Sequence, residues 1–167
     1  HVVSADGIHV DQDKVEAIKN IAEPTTYKSL KCFLGMAGFY RRFVPNFSQL
    51  VGPLQQRLNS CCSAEFELSE RERRAFQCVK KYLSSAPMLS YPCLDQPFVI
   101  SADASGVALG AALYQQDSVV AYASRRLTDV ETRYSATERE LLAILFAVQK
   151  WRQYVGPGCK RLTILTD

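Results

Sequence analysis

Three prolines within a short stretch, Pro87, Pro92 and Pro97, divide the chain into two parts of different texture. Proline fixes φ, lacks an N–H and disfavours helix in the residue before it, so neither a helix nor a central strand runs through residues 87–97. Upstream, apolar residues recur at helical spacing. Downstream they come in short β-like runs, PFVISADAS, GVALGAALYQQ and SVVAYASRRL, separated by Ser-Gly and by Gln-Asp-Ser. The expected class is α+β: a helical first part, a connector, a hairpin-linked antiparallel meander, a long helix, and a fourth strand in RLTILTD.

Local signals place the elements. Val2-Val3, Asp6-Gly7, Ile8 and Val10 have hairpin chemistry. Val15, Ile18 and Ile21 share a face of a small helix near 13–21, which ends before Pro24. Thr25 or Thr26 can cap the next helix, predicted to run to about Phe43, and Pro45 breaks the chain after it. A further helix over 47–58 carries Leu50, Val51, Leu54 and Leu58 toward a core. Ser69-Glu70-Arg71-Glu72 and Ser135-Ala136-Thr137-Glu138 both have capping-box spacing, in which the serine and the glutamate satisfy otherwise unpaired backbone donors. The first box opens a helix burying Phe76, Val79 and Leu83. The second opens a helix to about Tyr154, with Leu141, Ile144, Leu145, Val148 and Trp151 as its buried stripe.

At 167 residues with 47% apolar and 22% charged content, the chain is long enough for a real core and far from a disordered composition. It has no apolar run of the roughly 20 residues a membrane helix needs, and its start lacks the apolar core of a signal peptide, so a membrane partner is not expected. The six cysteines show no C-x-x-C and the only histidines are His1 and His9, which leaves no ligand set for a zinc cluster. Reduced thiols in an intracellular compartment are expected. The chain begins without methionine and stops at Asp167 inside a β-like run, as a fragment of something longer would.

Net charge is only +3, but it is unevenly placed. Between Thr26 and Ser63 stand five cations, Lys28, Lys31, Arg41, Arg42 and Arg57, and no acid. Such a segment suits phosphate contact; a solvated helix face would carry the same charges. Three acids are also distinctive: Asp103 ends the first β-run, Glu140 lies in the second turn of the long helix, and Asp167 ends the fourth run. If the first and fourth strands are neighbours and the helix packs across the sheet, these carboxylates converge at one sheet edge. Carboxylates that close repel one another unless cations neutralise them. Hard oxygen ligands favour Mg²⁺ or Mn²⁺, and two such ions suit phosphodiester cleavage. Any one of the acids alone could equally be a turn cap or a solvated charge.

The sequence resembles the reverse transcriptase of gypsy-type long-terminal-repeat retrotransposons, at the junction of its polymerase and ribonuclease H parts. The carriers are HVVSADGI, KVEAIKN, SLKCFLGMAGFYRRFVPNFSQLVGPL, FELSERERRAF, LSSAPMLSYP, PFVISADAS, AYASRRL, RYSATERELLAILFAVQKWRQYV and LTILTD, which together cover nearly the whole chain. The resemblance implies that residues 1–60 are the end of the palm and a thumb-like helical segment. Residues 61–95 would be a connector, and 96–167 a ribonuclease H-like domain truncated at its C-terminus. It implies Asp103, Glu140 and Asp167 as the catalytic and metal-binding acids, with two Mg²⁺ ions and Mn²⁺ as an alternative. Glu138 competes for the glutamate role, but its cap explains it. The family's fourth acid would lie beyond Asp167, and the polymerase aspartates upstream.

For the thumb-like helix, the implied partner is the minor groove of an RNA–DNA hybrid or template-primer duplex. Helical geometry agrees: at about 100° per residue, Lys28, Lys31, Gly35, Phe39 and Arg42 share about one quarter of the circumference, apart from Leu30, Phe33, Leu34 and Ala37. Arg41 joins them as a phosphate-contact candidate. After the third β-run, Ser124 and Arg125 could touch a hybrid backbone, with Arg126 beside them. The remainder of a Pol polyprotein is an expected partner, a dimer is allowed, and the expected place is a cytoplasmic retroelement particle. The rival from another class is a non-catalytic retroelement-derived module that binds nucleic acid or scaffolds partners.

Overall fold

The computed structural model describes residues 1–60 and 66–166. A short hairpin opens it, β1 (Val2–Val3) against β2 (Ile8–His9), followed by α1 (Gln12–Lys19), capped by Asp11. Thr26 caps α2 (Tyr27–Phe39) in a box with Ser29. This helix stops four residues short of the expected Phe43. Arg41–Phe43 tightens into a 3₁₀ turn, with the Phe43 N–H on the Tyr40 carbonyl at 3.0 Å, and so drives Phe43 and Val44 into the core. The helix predicted over 47–58 is two helices, α3 (Phe47–Leu50) and α4 (Gly52–Asn59). Pro53 has no N–H to continue α3, and its fixed φ suits the first turn of α4.

Ser69 caps α5 (Glu70–Ser84), its N–H bonded to Glu72 Oε2 at 2.7 Å, and Phe76, Val79 and Leu83 are buried as expected. They join Leu30, Phe33, Ala37, Phe43, Val51 and Leu54 in one helical core, so α5 packs with α1–α4. The proline-rich stretch runs extended, and Leu89 trades backbone hydrogen bonds with Ile8 at 2.8 Å.

The meander is β3 (Phe98–Ala104), β4 (Ala108–Gln115) and β5 (Ser118–Arg126), all antiparallel neighbours. Ser135 caps α6 (Ala136–Lys150), a short α7 (Arg152–Val155) follows, and β6 (Leu162–Leu165) returns parallel to β3, with Ser101 opposite Leu165. The four-stranded order is β5-β4-β3-β6. Of the expected stripe of α6, Trp151 is buried and Ile144 and Val148 pack partly against the same core, but the rest of the buried face differs. Ala143, Ala147 and Trp151 are buried with Phe98, Ile100, Ala102 and Leu113, while Leu141 and Leu145 are 61% and 52% exposed. Alanines let the helix lie close on the sheet, and that sets its rotation.

The helical half covers the other face of the sheet. Val119 and Tyr122 of β5 pack against its core, and β4, covered on both sides, is buried over Ala108–Leu113. Small residues fill that strand because two layers close on it. The fold is thus α+β, a helical body joined to a mixed sheet with one packed helix. Among the described residues no helix is long and apolar enough to cross a membrane.

Candidate functional site

β3 and β6 run parallel, so their C-terminal ends lie at the same end of the sheet, and the first turns of α6 meet that end. Arg139 Nη1 donates to the Ser105 carbonyl at 3.4 Å, two residues past Asp103. On the next residue, Glu140 Oε2 accepts the Thr166 hydroxyl at 3.3 Å, at the end of β6. Thus Glu140 and the end of the strand bearing Asp103 lie at one sheet end. Asp103 is out of phase with Ile100 and Ala102, which face α6; it is exposed on the opposite face. Its carboxylate shares a hollow of about 310 Å³ with Ser101, Gly110, Asn46, Tyr114 and Tyr122. Burial, then the neighbouring Tyr114 and Tyr82, push the Tyr122 hydroxyl above its usual pKa.

Asp167 lies outside the described residues. Among the described residues no three His, Cys, Asp or Glu side chains are grouped to hold a metal ion. Asp103 and Glu140 are both oxygen donors of the kind hard divalent ions take, with no cation paired to either among the described residues, but the Asp103 side chain faces away from the helix that bears Glu140. Glu138 is different: the Ser135 N–H at 2.8 Å, and then the Ser135 hydroxyl, hold its carboxyl below the usual range, so it is committed to the cap.

On the helical half, Lys28, Lys31, Gly35 and Phe39 lie on one exposed side of α2. Arg42 belongs to the 3₁₀ turn, outside the helical wheel that placed it there, but it is exposed too. Among the described residues no carboxylate pairs with Lys28, Lys31 or Arg42. Phe39 is 63% exposed, with the His1 ring stacked on it at 4.9 Å. A methyl group at Gly35 would meet no other atom within 4 Å. A glycine inside a helix costs stability, and here no packing contact of the fold asks for it.

Three candidates are committed internally. Ser124 is 3% exposed; its hydroxyl accepts the Ser48 N–H at 2.9 Å and donates to Ser48 Oγ at 3.1 Å. Arg41 Nη2 donates to the Ser124 carbonyl at 2.6 Å. Arg125 makes a two-pronged pair with Glu131 at 2.7 and 2.8 Å and lies over the Phe146 ring. Arg125, then the Thr128 N–H, lower the Glu131 carboxyl to about 2. Ser124 is thus a buried joint of the fold, whereas Arg41 is exposed and the Arg125 side chain is 34% exposed, and both border the cleft that holds Arg42 and Lys150.

Two cations gain a setting only in three dimensions: Arg126, already a neighbour of the Ser124 and Arg125 candidates in sequence, and Lys150. Arg126, one position on, faces the helical half and lines a groove with Lys31, Gly35, Gln55 and Asn59. Lys150 shares a cleft with Arg41 and Arg42. Strand alternation assigns Arg126 the face opposite Arg125, but nothing in the sequence says what that face meets.

Known proteins share this fold. Residues 68–164 match the model of the RNase H-like domain found in reverse transcriptase. The chain is 37% identical over 158 residues to the Retrovirus-related Pol polyprotein from transposon 297 of Drosophila melanogaster, covering 93% of this chain and 14% of the relative. It is 35% identical over 176 residues to that from transposon gypsy of the same organism, covering 99% and 17%. The chain therefore spans less than a fifth of the length of these relatives. Among solved structures, the foamy viral protease-reverse transcriptase in complex with RNA/DNA hybrid matches with a TM-score of 0.81 at 24% identity, over 98% of this chain and 22% of that one. The dRH form in complex with double-stranded DNA gives 0.81 at 23%, over 99% and 30%. With the family model matched over more than half its length, the chain belongs to the RNase H-like domains found in reverse transcriptases, and it is homologous to retrotransposon Pol polyproteins.

Proposed function

We propose that this segment grips an RNA–DNA hybrid through the exposed side of α2 and, in the complete protein, takes part in hydrolysing the RNA strand. The observation that carries the reading is the meeting of α6 with the ends of both parallel strands: Glu140 takes the Thr166 hydroxyl and Arg139 reaches Ser105, next to the strand end that bears Asp103. In this reading Asp103, Glu140 and Asp167 hold divalent ions, Mg²⁺ first and Mn²⁺ as substitute. When bound, such ions supply an activated water and neutralise a leaving oxygen. Lys28, Lys31 and Arg42 hold backbone phosphates, Gly35 lets a sugar–phosphate strand approach the helix, and Phe39 lies against sugars. Arg125 adds a cation to the cleft of Arg41, Arg42 and Lys150, and Ser124 holds the strand beside it. Residues 1–60 act as the end of the palm and the thumb, 61–95 as connector and 96–167 as the nuclease-like part, inside a retroelement particle with the rest of a Pol polyprotein.

The test is hybrid cleavage with Mg²⁺ by a Pol protein that carries this chain and continues past Asp167, beside its Asp103→Asn variant. Cleavage by the wild type and its loss in the variant support the reading. Equal activity in both, or none in the wild type, ends it, and hybrid binding with no metal dependence would then favour a non-catalytic module.

A further inference from the structure

One rung of the sheet is gripped from outside. In the β3–β4–β5 register, Asp103 stands opposite Gly110, and Gly110 opposite Ser124. Residues 41–48, from the 3₁₀ turn into α3, reach two of the three. A Cβ on Gly110 would collide with the Asn46 carboxamide, with Cγ 2.9 Å away, so any larger residue at this position in a buried strand must displace the Asn46 side chain. Asn46 is held at φ 48° and ψ 32°, the left-handed region that side chains seldom enter and asparagine enters most readily. Two departures from local preference thus serve a single contact.

The next rung member is held harder. The Ser124 hydroxyl is bonded to both the Ser48 N–H and Ser48 Oγ, in a buried setting, and its carbonyl, on the outer edge strand, takes the Arg41 guanidinium. All three grips come from residues 41–48, immediately after the helix bearing the cation face. Directly opposed residues of an antiparallel pair have neighbouring Cβ positions, so the Asn46 carboxamide, occupying the space of a Gly110 side chain, sits across from Asp103 in the hollow they share.

We infer that residues 41–48 form a latch by which the helical half fixes the Asp103–Gly110–Ser124 rung, with Asn46 and Arg41 as positioning residues for the Asp103 carboxylate. The consequence for chemistry rests on the nuclease reading above; the latch itself does not. A metal-holding carboxylate must be kept within about 0.5 Å of its working position by groups that are themselves locked. This latch ties such a carboxylate to the helix that grips the duplex.

The experiment uses Asn46→Gly, which keeps the left-handed backbone free of strain while removing the wedge. In the ¹⁵N-labelled chain, amide hydrogen exchange at Asp103 and Gly110 should quicken at least tenfold, with Ile100 and Leu113 unchanged. The midpoint of a Mg²⁺ titration followed at the Asp103 amide should weaken severalfold, and hybrid affinity should hold. Gly110→Ala should lower the melting temperature, and adding Asn46→Gly to it should restore most of the loss. Wild-type exchange at the rung in Asn46→Gly overturns the latch, as does a Gly110→Ala defect that Asn46→Gly fails to relieve. Should Gly110→Ala not fold, Asn46→Gly alone decides. A wild-type chain whose Asp103 ignores Mg²⁺ would count against the nuclease reading, and the exchange rates would still judge the latch.

Discussion

The dipeptide Arg-Arg occurs twice, as Arg41-Arg42 at the end of the helical half and as Arg125-Arg126 at the end of β5, and the fold treats both alike. One arginine of each pair is drawn inward: Arg41 onto the Ser124 carbonyl, Arg125 onto Glu131 and the Phe146 face. The other pairs with no carboxylate among the described residues: Arg42 lines a cleft with Lys150 that Arg41 and Arg125 also border, and Arg126 stands beside Lys31 and Gly35. Consecutive side chains diverge by about 100° on a helix and about 180° on a strand, so a charged dipeptide naturally serves two environments. Net charge says a segment is basic; only the partners say which cations remain for a ligand.

If Arg41, on the Ser124 carbonyl, truly ties the helical half to the sheet, the halves should unfold as one. Phe76→Ala, in the helical core, should cost about 3–5 kcal/mol, because a buried aromatic leaves both lost transfer energy and a cavity. Trp151, the chain's single tryptophan, lies in the other core and reports on it by fluorescence. Urea unfolding seen by Trp151 and by helical circular dichroism should shift together in this variant. A tryptophan transition that stays put would show two independent bodies. The next effect in size concerns the two glutamates of α6. In a Pol protein that continues past Asp167, Glu140→Gln should reduce hybrid cleavage at least a hundredfold, about 3 kcal/mol of barrier. Glu138→Ala should retain the cleavage rate and lose only the cap. The reverse pattern would move the metal role to Glu138.

These outcomes bear on what could be read from sequence. The capping boxes at Ser69 and Ser135 were fully legible, because a box is a local bargain between a serine and a glutamate three residues on. So were the meander and the elements carrying Asp103 and Glu140. The end of α2 was not, since it is set by Phe43 and Val44 turning into a core built from distant residues. Nor was the buried face of α6. With Leu141, Leu142, Ile144, Leu145, Phe146 and Val148 the helix is apolar nearly all round, and the sheet chose Ala143 and Ala147. Ser124 and Arg125 looked like surface groups at a strand end until Ser48 and Glu131 arrived beside them. Asn46 and Gly110 are 64 positions apart, and neither residue hints at the other.

The Arg125–Glu131 joint sharpens the contrast further. The Glu131 side chain is 16% exposed and its carboxyl sits at about 2 against an ordinary 4.5. The folded protein therefore binds fewer protons than the unfolded chain between those values. The stabilisation is complete above about pH 4.5 and is lost as pH falls toward 2. Glu131→Gln should cost about 2 kcal/mol at neutral pH and flatten the fall of melting temperature across that window. Arg126→Gln should leave stability within about 0.5 kcal/mol but reduce the salt dependence of hybrid binding by about one phosphate contact. Equal stability losses for Arg125→Gln and Arg126→Gln would erase the distinction between inward and outward members.

The smallest effect is the most pointed, because two readouts should move in opposite directions. Gly35 stands inside α2 with open space where a Cβ would be, so Gly35→Ala should stabilise the chain by about 0.5–1 kcal/mol. Lys31 and Arg126 share its groove, and a duplex strand held between those cations would have to pass against the Gly35 backbone. An added methyl would hold that strand away, so hybrid affinity should fall severalfold at fixed salt while the salt slope stays the same, since no phosphate contact is removed. A more stable variant that binds as well as the wild type would mean that the strand keeps its distance from this glycine, and that the open side of α2 serves another surface than the duplex.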